Sequence, residues 1–168
     1  MGCGALRGGL HFARYLEARH YYGVDINASL IAAGRLEATY AGLDDKRLNL
    51  AVSDSFDATA WGVIFDYGIA QSLFTHLTQE LIGQCLSQLR KVMNGPFYAT
   101  YFEAPTDAYR EDIAHPQGTV THYSRDPYHI SFKELSALAS QSGMTAKRIG
   151  AWGHPKSQSM AVFHPSPD

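Results

Sequence analysis

Apolar positions along the chain switch between two spacings, and the switches divide it into alternating helices and strands. Leu10, Phe12, Ala13 and Leu16 recur at near-helical intervals with Arg14, Glu17 and Arg19 outward, which predicts an amphipathic helix over 10–18 resting on a sheet. His11 and His20 fall on its solvent side. Residues 21–24 read as a short strand ending in Asp25, and Asn27 is a good N-cap for a helix that runs to about Tyr40 and stops at Gly42. Residues 48–52 predict another strand, and the mostly apolar run 63–70 predicts a parallel strand buried on both faces. Thr78 then caps a helix whose Leu81, Ile82, Cys85, Leu86, Leu89, Val92 and Met93 follow the i, i+3, i+4 pattern closely, which makes Cys85 a core residue. Asn94-Gly95 ends that helix, and 97–102 is a strand of aromatic and β-branched residues ending at Glu103.

From Pro105 to Pro127 the periodicity lapses for longer than an ordinary connection requires, and long irregular loops in compact domains tend to be functional or mobile. This segment carries His115, His122 and Tyr123, with Tyr128 and His129 just beyond, and is expected to line a substrate pocket. Periodic structure resumes at Ser131-x-x-Glu134, a capping box opening a helix that buries Leu135, Leu138 and Ala139 and ends at Gly143. Two strands, about 144–149 and 159–164, follow with too short a link for a helical crossover, so they should pair antiparallel as a hairpin. The class expected is α/β, in one domain spanning 1–168.

Composition narrows this little further. A chain of 168 residues with 45% hydrophobic and 12% aromatic residues can build a single core. A formal net charge of −2 without a basic run argues against a nucleic-acid partner. Cys3 and Cys85 stand far apart with no ligand spacing, so neither a disulfide framework nor a metal site is expected, and a cytoplasmic setting fits. No apolar stretch reaches the roughly 18 residues of a membrane span.

The chemistry concentrates at the start. Gly2, Gly4 and Gly8 follow a GxGxxxG spacing, which lets the backbone turn sharply and approach a ligand closely, with helix N-terminal amides beyond it. Asp25, about 20 residues on, sits where a Rossmann-type domain carries the carboxylate that accepts from ribose hydroxyls. The polar cluster 53–57 can serve either as a turn or as a binder of a ligand amino group. His129, His154, His76 and Glu103 are the residues suited to general-base work, the histidines because they titrate near neutrality and Glu103 because it ends a strand where open α/β sheets bind ligands. Each of these histidines can equally be solvated or merely hydrogen-bonded. Asp126-Pro127-Tyr128 superficially matches the acidic-Pro-Tyr signature of amino-methylating DNA enzymes, but it follows the fifth strand where theirs follows the fourth, so it reads as a turn.

Taken in order, these segments resemble the class I S-adenosylmethionine-dependent methyltransferases. GCGALRGG at 2–9 is similar to their glycine-rich motif, YYGVD at 21–25 to the strand ending in the ribose-binding acid, Ser53-Asp54 to the adenine-side position, FDYGIAQSLFTHL at 65–77 to the strand and loop beside the methionine moiety, and the closing hairpin to their last two strands. The resemblance implies a Rossmann-like three-layer sandwich, its sheet mostly parallel with a C-terminal antiparallel hairpin. It implies transfer of a methyl group from S-adenosylmethionine to a small-molecule acceptor. Gly2, Gly4 and Arg7 would line the methionine end, with backbone from Cys3 and Ala5. Asp25, with Ile26 and Asn27 beside it, would take the ribose, Asp54 and Ser55 the adenine side, and Gln71 and Ser72 would close the site. The family's first strand and preceding lid helix have no counterpart here, so the first strand is missing or nearly so. Either the neighbouring strands close into a six-stranded sheet or another chain fills the slot, giving an oligomer. The alternatives are a non-catalytic cofactor-binding fragment and a nicotinamide oxidoreductase, which would continue with parallel strands where this chain has a hairpin.

Overall fold

The computed structural model describes residues 1–167, and the strand that ends in Asp25 sits at the centre of the first of two compact units, residues 1–57. Helix α1 (Gly9–Tyr15) leads into β1 (Tyr22–Asp25), helix α2 (Ala28–Tyr40) and β2 (Asn49–Val52). β1 and β2 pair in parallel, Tyr22 opposite Asn49 and Asp25 opposite Val52. As its sequence predicts, α2 is capped by Asn27, whose side chain accepts from the N–H groups of Ser29 and Leu30. Its Gly34 leaves room for Leu6, because a Cβ there would stand 2.9 Å from Leu6 Cγ. Leu6 is therefore fully buried at the centre of a cluster with Ala13, Ile31, Ala38, Leu43 and Leu50. That burial outweighs the cost of the left-handed backbone Leu6 adopts, φ 65°.

Two expectations for this unit are corrected. The helix predicted over 10–18 is shorter, because the chain turns extended at Leu16; Phe12, placed on the inner face by its spacing, is 45% exposed. The six-stranded closure does not form either. β1 and β2 make a two-stranded sheet of their own, and the N–H of Cys3 donates to Val24 O at 3.0 Å, so the start of the chain already supplies a partner for β1.

The second unit begins at residue 58 and holds β3 (Gly68–Ala70), helix α3 (Gln79–Arg90) and β4 (Phe97–Glu103). After these come the short strands β5 (Ile113–Ala114), β6 (Val120–Thr121) and β7 (His129–Ile130), then helix α4 (Phe132–Gln141), β8 (Met144–Ala151) and β9 (Ser159–Pro165). The main sheet runs β3-β4-β9-β8, with β7 beside the end of β4. β3 and β7 lie parallel to β4, whereas β9 lies antiparallel to β4 and to β8, which is the predicted closing hairpin. Phe74, Phe97 and Phe163 meet in its core with ring centroids about 6 Å apart.

The strand predicted over 63–70, buried on both faces, is corrected to the three residues of β3. Phe65 makes one isolated bridge to Met93, and Ile64 and Tyr67 are 61% and 76% exposed. The segment 105–127 is not wholly irregular, since β5 and β6 form a small antiparallel hairpin within it.

The capping box of α4 is complete. Ser131 Oγ accepts from the Glu134 N–H at 3.1 Å, and Glu134 Oε2 accepts from the Ser131 N–H at 3.0 Å. Ser131 Oγ also donates to Asp107 at 2.7 Å, which ties the irregular segment to the helix. Ser131→Ala is expected to cost about 1–2 kcal/mol, read as a lower urea midpoint with unchanged slope.

Candidate functional site

In the first unit the carboxyl ends of two parallel strands and the glycine loop come together around Asp25. Its carboxylate Oδ2 accepts the Gly4 N–H at 2.8 Å and Oδ1 accepts the Asn27 N–H at 2.9 Å. The acid thereby holds the glycine loop against the end of β1 and half-covers itself in doing so. An ionised carboxylate offers about four lone-pair sites, so about two directions remain for further donors. Gly4 has φ +51°, and a Cβ placed on it would meet nothing within 4 Å. The loop therefore faces open space beside an acceptor.

The other residues expected here fall into place individually. Cys3 spends its backbone inside the unit, its N–H on Val24 and its carbonyl on the N–H of Leu6, and burial raises its thiol above the ordinary range. Gly2 takes φ +62°, Gly2 and Ala5 are partly covered, and Arg7 is exposed. Ile26 is 70% exposed and Asn27 is occupied as the cap of α2. Ser53 extends the β1–β2 ladder, its N–H donating to Asp25 O at 3.1 Å, and its hydroxyl accepts from the Ser55 N–H at 3.3 Å. Asp54 and Ser55 stand exposed at the same end of the strands as Asp25. Open α/β sheets bind ligands at that end.

Gln71 and Ser72 belong to the second unit. Gln71 is exposed there. Ser72 is committed to a polar knot: its N–H donates to Thr100 Oγ1 at 2.7 Å, its hydroxyl to Gln158 Oε1 at 3.0 Å, and its carbonyl accepts from Thr75 Oγ1.

The second unit also carries a cavity of about 620 Å³ at the carboxyl end of β4, bounded by Glu103, Tyr109, Asp112, His115, Arg148 and Ser159 among others. Most of that wall comes from the segment 105–127. Of the four residues expected to act as bases, the cavity holds one, Glu103. Its carboxylate is clasped by Arg148 through Nε at 2.6 Å and NH2 at 3.0 Å and accepts from Ser159 Oγ at 2.8 Å. The pairing raises Arg148 further. Tyr101, two residues before Glu103 and fully buried, has its phenol pushed up by burial and by the Glu103 charge.

The three histidines lie outside the cavity wall. His129 is 2% exposed with both ring nitrogens engaged, Nδ1 with Thr121 Oγ1 and Nε2 with Tyr109 O, each at 3.1 Å. His76 pairs through Nδ1 with Asp126 at 2.6 Å on the surface. His154 accepts the Lys156 N–H at 3.2 Å and stacks near Trp152, with burial and then the Lys156 charge lowering its pKa. The cavity histidine is instead His115. It belongs to the segment expected to line a substrate pocket, at the end of the β5–β6 hairpin, although it was not among the residues expected to act as bases.

Among the described residues no cluster of side chains could hold a metal, and no helix is long and apolar enough to cross a membrane.

No family model matches the chain, and no curated protein matches its sequence. Solved structures do match its fold. The magnesium protoporphyrin IX methyltransferase ChlM of Synechocystis PCC 6803, with bound S-adenosylmethionine, superposes with a TM-score of 0.70 and 13% identity over 98% of this chain and 67% of that one. The CcbJ methyltransferase of Streptomyces caelestis gives a TM-score of 0.71 and 13% identity over 99% and 82%. The glycopeptide N-methyltransferase MtfA, complexed with S-adenosylhomocysteine, gives 0.69 and 14% over 99% and 79%. With Asp25 and the glycine loop at the ends of β1 and β2 in the first unit and an antiparallel hairpin ending the sheet of the second, the chain has the Rossmann-like α/β fold of the class I S-adenosylmethionine-dependent methyltransferases.

Proposed function

We propose that the chain is an S-adenosylmethionine-dependent methyltransferase acting on a small-molecule acceptor in the cytoplasm, with 1–168 working as one methyltransferase-like domain. The observation that carries this reading is the open space over Gly4 beside the free acceptor directions of Asp25. Such a cradle suits a ligand that lays an uncharged backbone-contacting part over the loop and two hydroxyls on the acid. S-adenosylmethionine has both, and it supplies a methyl group on a positively charged sulfur. Asp25 would accept from the ribose hydroxyls. The exposed side chains of Ile26 and Val52 offer apolar cover for a flat base, and Asp54 with Ser55 supplies acceptors for its amino group. Gly2, Cys3, Ala5 and Arg7 would flank the methionine part, and Asn27 would hold the turn after Asp25. Methyl transfer asks the protein chiefly for alignment, which needs no covalent intermediate.

The antiparallel β8–β9 hairpin favours this reading over a nicotinamide oxidoreductase. Thermal shift with S-adenosylmethionine, S-adenosylhomocysteine and NAD tests all of it. At a hundredfold excess over Kd, a ligand binding only the folded state adds about 2.7 kcal/mol, and at about 2–4 °C per kcal/mol for this size both sulfur ligands should raise Tm visibly while NAD does not. A shift with NAD alone would replace the reading by an oxidoreductase. A shift with S-adenosylhomocysteine but no methylated product from any acceptor would leave the non-catalytic binding fragment.

A further inference from the structure

We propose that the cavity at the end of β4 takes a small molecule by its carboxylate, held by Arg148, and that Tyr101 replaces Arg148 on Glu103 when that ligand binds. As an account of the methyl acceptor this rests on the methyltransferase reading; as a binding site of the second unit it stands without it.

The strands put four side chains on one face of the sheet. Tyr101 and Glu103 are two apart on β4 and so point the same way. β9 sets Ser159 opposite Tyr101 and Ala161 opposite Ala99, and β8 sets Arg148 opposite Ala161, so Ser159 and Arg148 share that face. The β8–β9 register shifts just after Arg148, an irregularity of the kind that re-aims a side chain beside a site. Glu103, Arg148 and Ser159 all reach the cavity wall.

One hydroxyl of the group is left over. Tyr101 is fully buried, and its Oη is the one buried side-chain nitrogen or oxygen without a hydrogen bond among the described residues. Burial and then the Glu103 charge raise the phenol while the Arg148 charge lowers it, so the hydroxyl lies beside the pair, yet it bonds to neither. The guanidinium already spans Glu103, Nε to Oε1 at 2.6 Å and Nη2 to Oε2 at 3.0 Å, and Ser159 Oγ donates to Oε2 at 2.8 Å. A buried phenol without a partner is costly and asks for a reason.

A second state of the clasp supplies it. The Arg148 side chain is 57% exposed and that of Glu103 18%, so the arginine is the partner with room to move. Swung onto a ligand carboxylate in the cavity, its planar fork makes the same bidentate pair there. Glu103 keeps Ser159 and accepts from the Tyr101 hydroxyl in place of the guanidinium. The exchange replaces like with like at Arg148 and gains one hydrogen bond to a charged group at Tyr101, worth about tenfold or more in affinity.

The ligand's chemistry follows from the wall. Pro105, Tyr109 and Ile113 offer an apolar surface to the rest of the molecule. A phosphate dianion would set two charges against one guanidinium with Glu103 and Asp112 in the same wall, whereas a carboxylate restores the single pairing that Glu103 gives up. An alcohol has no charge with which to draw the guanidinium away.

The test uses the whole chain with tyrosine carbon-13 labelled at Cζ, whose resonance follows the hydrogen bond its phenol donates; Tyr101→Phe assigns the Tyr101 signal. Cyclohexanecarboxylate should bind by calorimetry and move that signal. Cyclohexylmethanol should do neither, and cyclohexyl phosphate should bind at least tenfold more weakly than the carboxylate. Arg148→Gln should lose at least tenfold in carboxylate affinity and show the shifted signal with no ligand present, because the phenol then has Glu103 to itself. Tyr101→Phe should also lose at least tenfold in affinity, yet its Tm should hold or rise, since the hydroxyl it removes had no partner. No carboxylate binding at millimolar concentration, equal binding of the alcohol, or phosphate binding as tight would each overturn the proposal. So would a lower Tm in Tyr101→Phe or an unmoved signal in Arg148→Gln, either of which means that the hydroxyl is already satisfied. S-adenosylhomocysteine titrated into the same sample decides the methyltransferase reading separately. Carboxylate binding without it keeps the site and drops that reading, and the reverse drops the site.

Discussion

Asp25→Ala is expected to weaken S-adenosylhomocysteine binding by at least tenfold while the chain remains folded. The expectation comes from what the carboxylate has already done and what it has left. Two of its acceptor directions hold Gly4 and Asn27 in place, which leaves about two for further donors, beside the open space at Gly4. Hydrogen bonds to a charged group contribute about 1.5–3 kcal/mol each, and tenfold in affinity is about 1.4 kcal/mol. One ribose hydroxyl lost to Asp25→Ala is therefore enough to meet the threshold. The substitution also frees the Gly4 N–H and relaxes the loop, so the loss should exceed that of Asp25→Asn, which keeps one carbonyl acceptor. Calorimetry on both variants, with circular dichroism to confirm folding, gives the order directly. Unchanged affinity in Asp25→Ala would remove the acid from any ligand site and leave it as a clasp for the loop.

What the sequence made legible was local. Asn27, Thr78 and Ser131 were readable as caps because each satisfies backbone N–H groups two or three residues away, and those bonds are all present. The closing hairpin was readable because a short link leaves antiparallel pairing as the only arrangement. Residues 63–70 misled because apolar composition does not state which backbone will be paired, and only Gly68–Ala70 found a ladder partner in β4. Leu16 looked helical by its spacing, yet the chain leaves the helix there.

The same division runs through the functional residues. Glu103 at the end of a strand could be picked out, but its partner Arg148 lies 45 residues on and comes beside it only through β9 pairing with both β4 and β8. His129 had the right chemistry for a base, and its nitrogens are taken by groups 8 and 20 residues away. His115 had the same chemistry, and its Nδ1 has no protein hydrogen-bond partner among the described residues. Nothing in residue type separates those two histidines; the fold does, by burying one and leaving the other on a cavity wall.

A paired substitution separates the loop as a ligand cradle from the loop as a mere turn. Gly4 and Gly42 both hold left-handed backbone, φ +51° and +68°, and an added Cβ at either meets nothing within 4 Å. Alanine at each position should therefore bring the same penalty, about 1–2 kcal/mol for an L-residue held left-handed, and a similar drop in Tm. Their surroundings differ in one respect. Gly42 closes α2, where its N–H donates to Thr39 O at 2.9 Å, whereas Gly4 lies against the Asp25 carboxylate. If a ligand backbone rests on the loop, the methyl of Gly4→Ala stands in the space that ligand needs, and S-adenosylhomocysteine affinity should fall at least tenfold. Gly42→Ala should keep its affinity within about twofold, since under 0.5 kcal/mol is expected from a remote surface change. Equal affinity in the two variants would mean that the space over Gly4 is ordinary solvent, and the glycine is then explained by its φ alone.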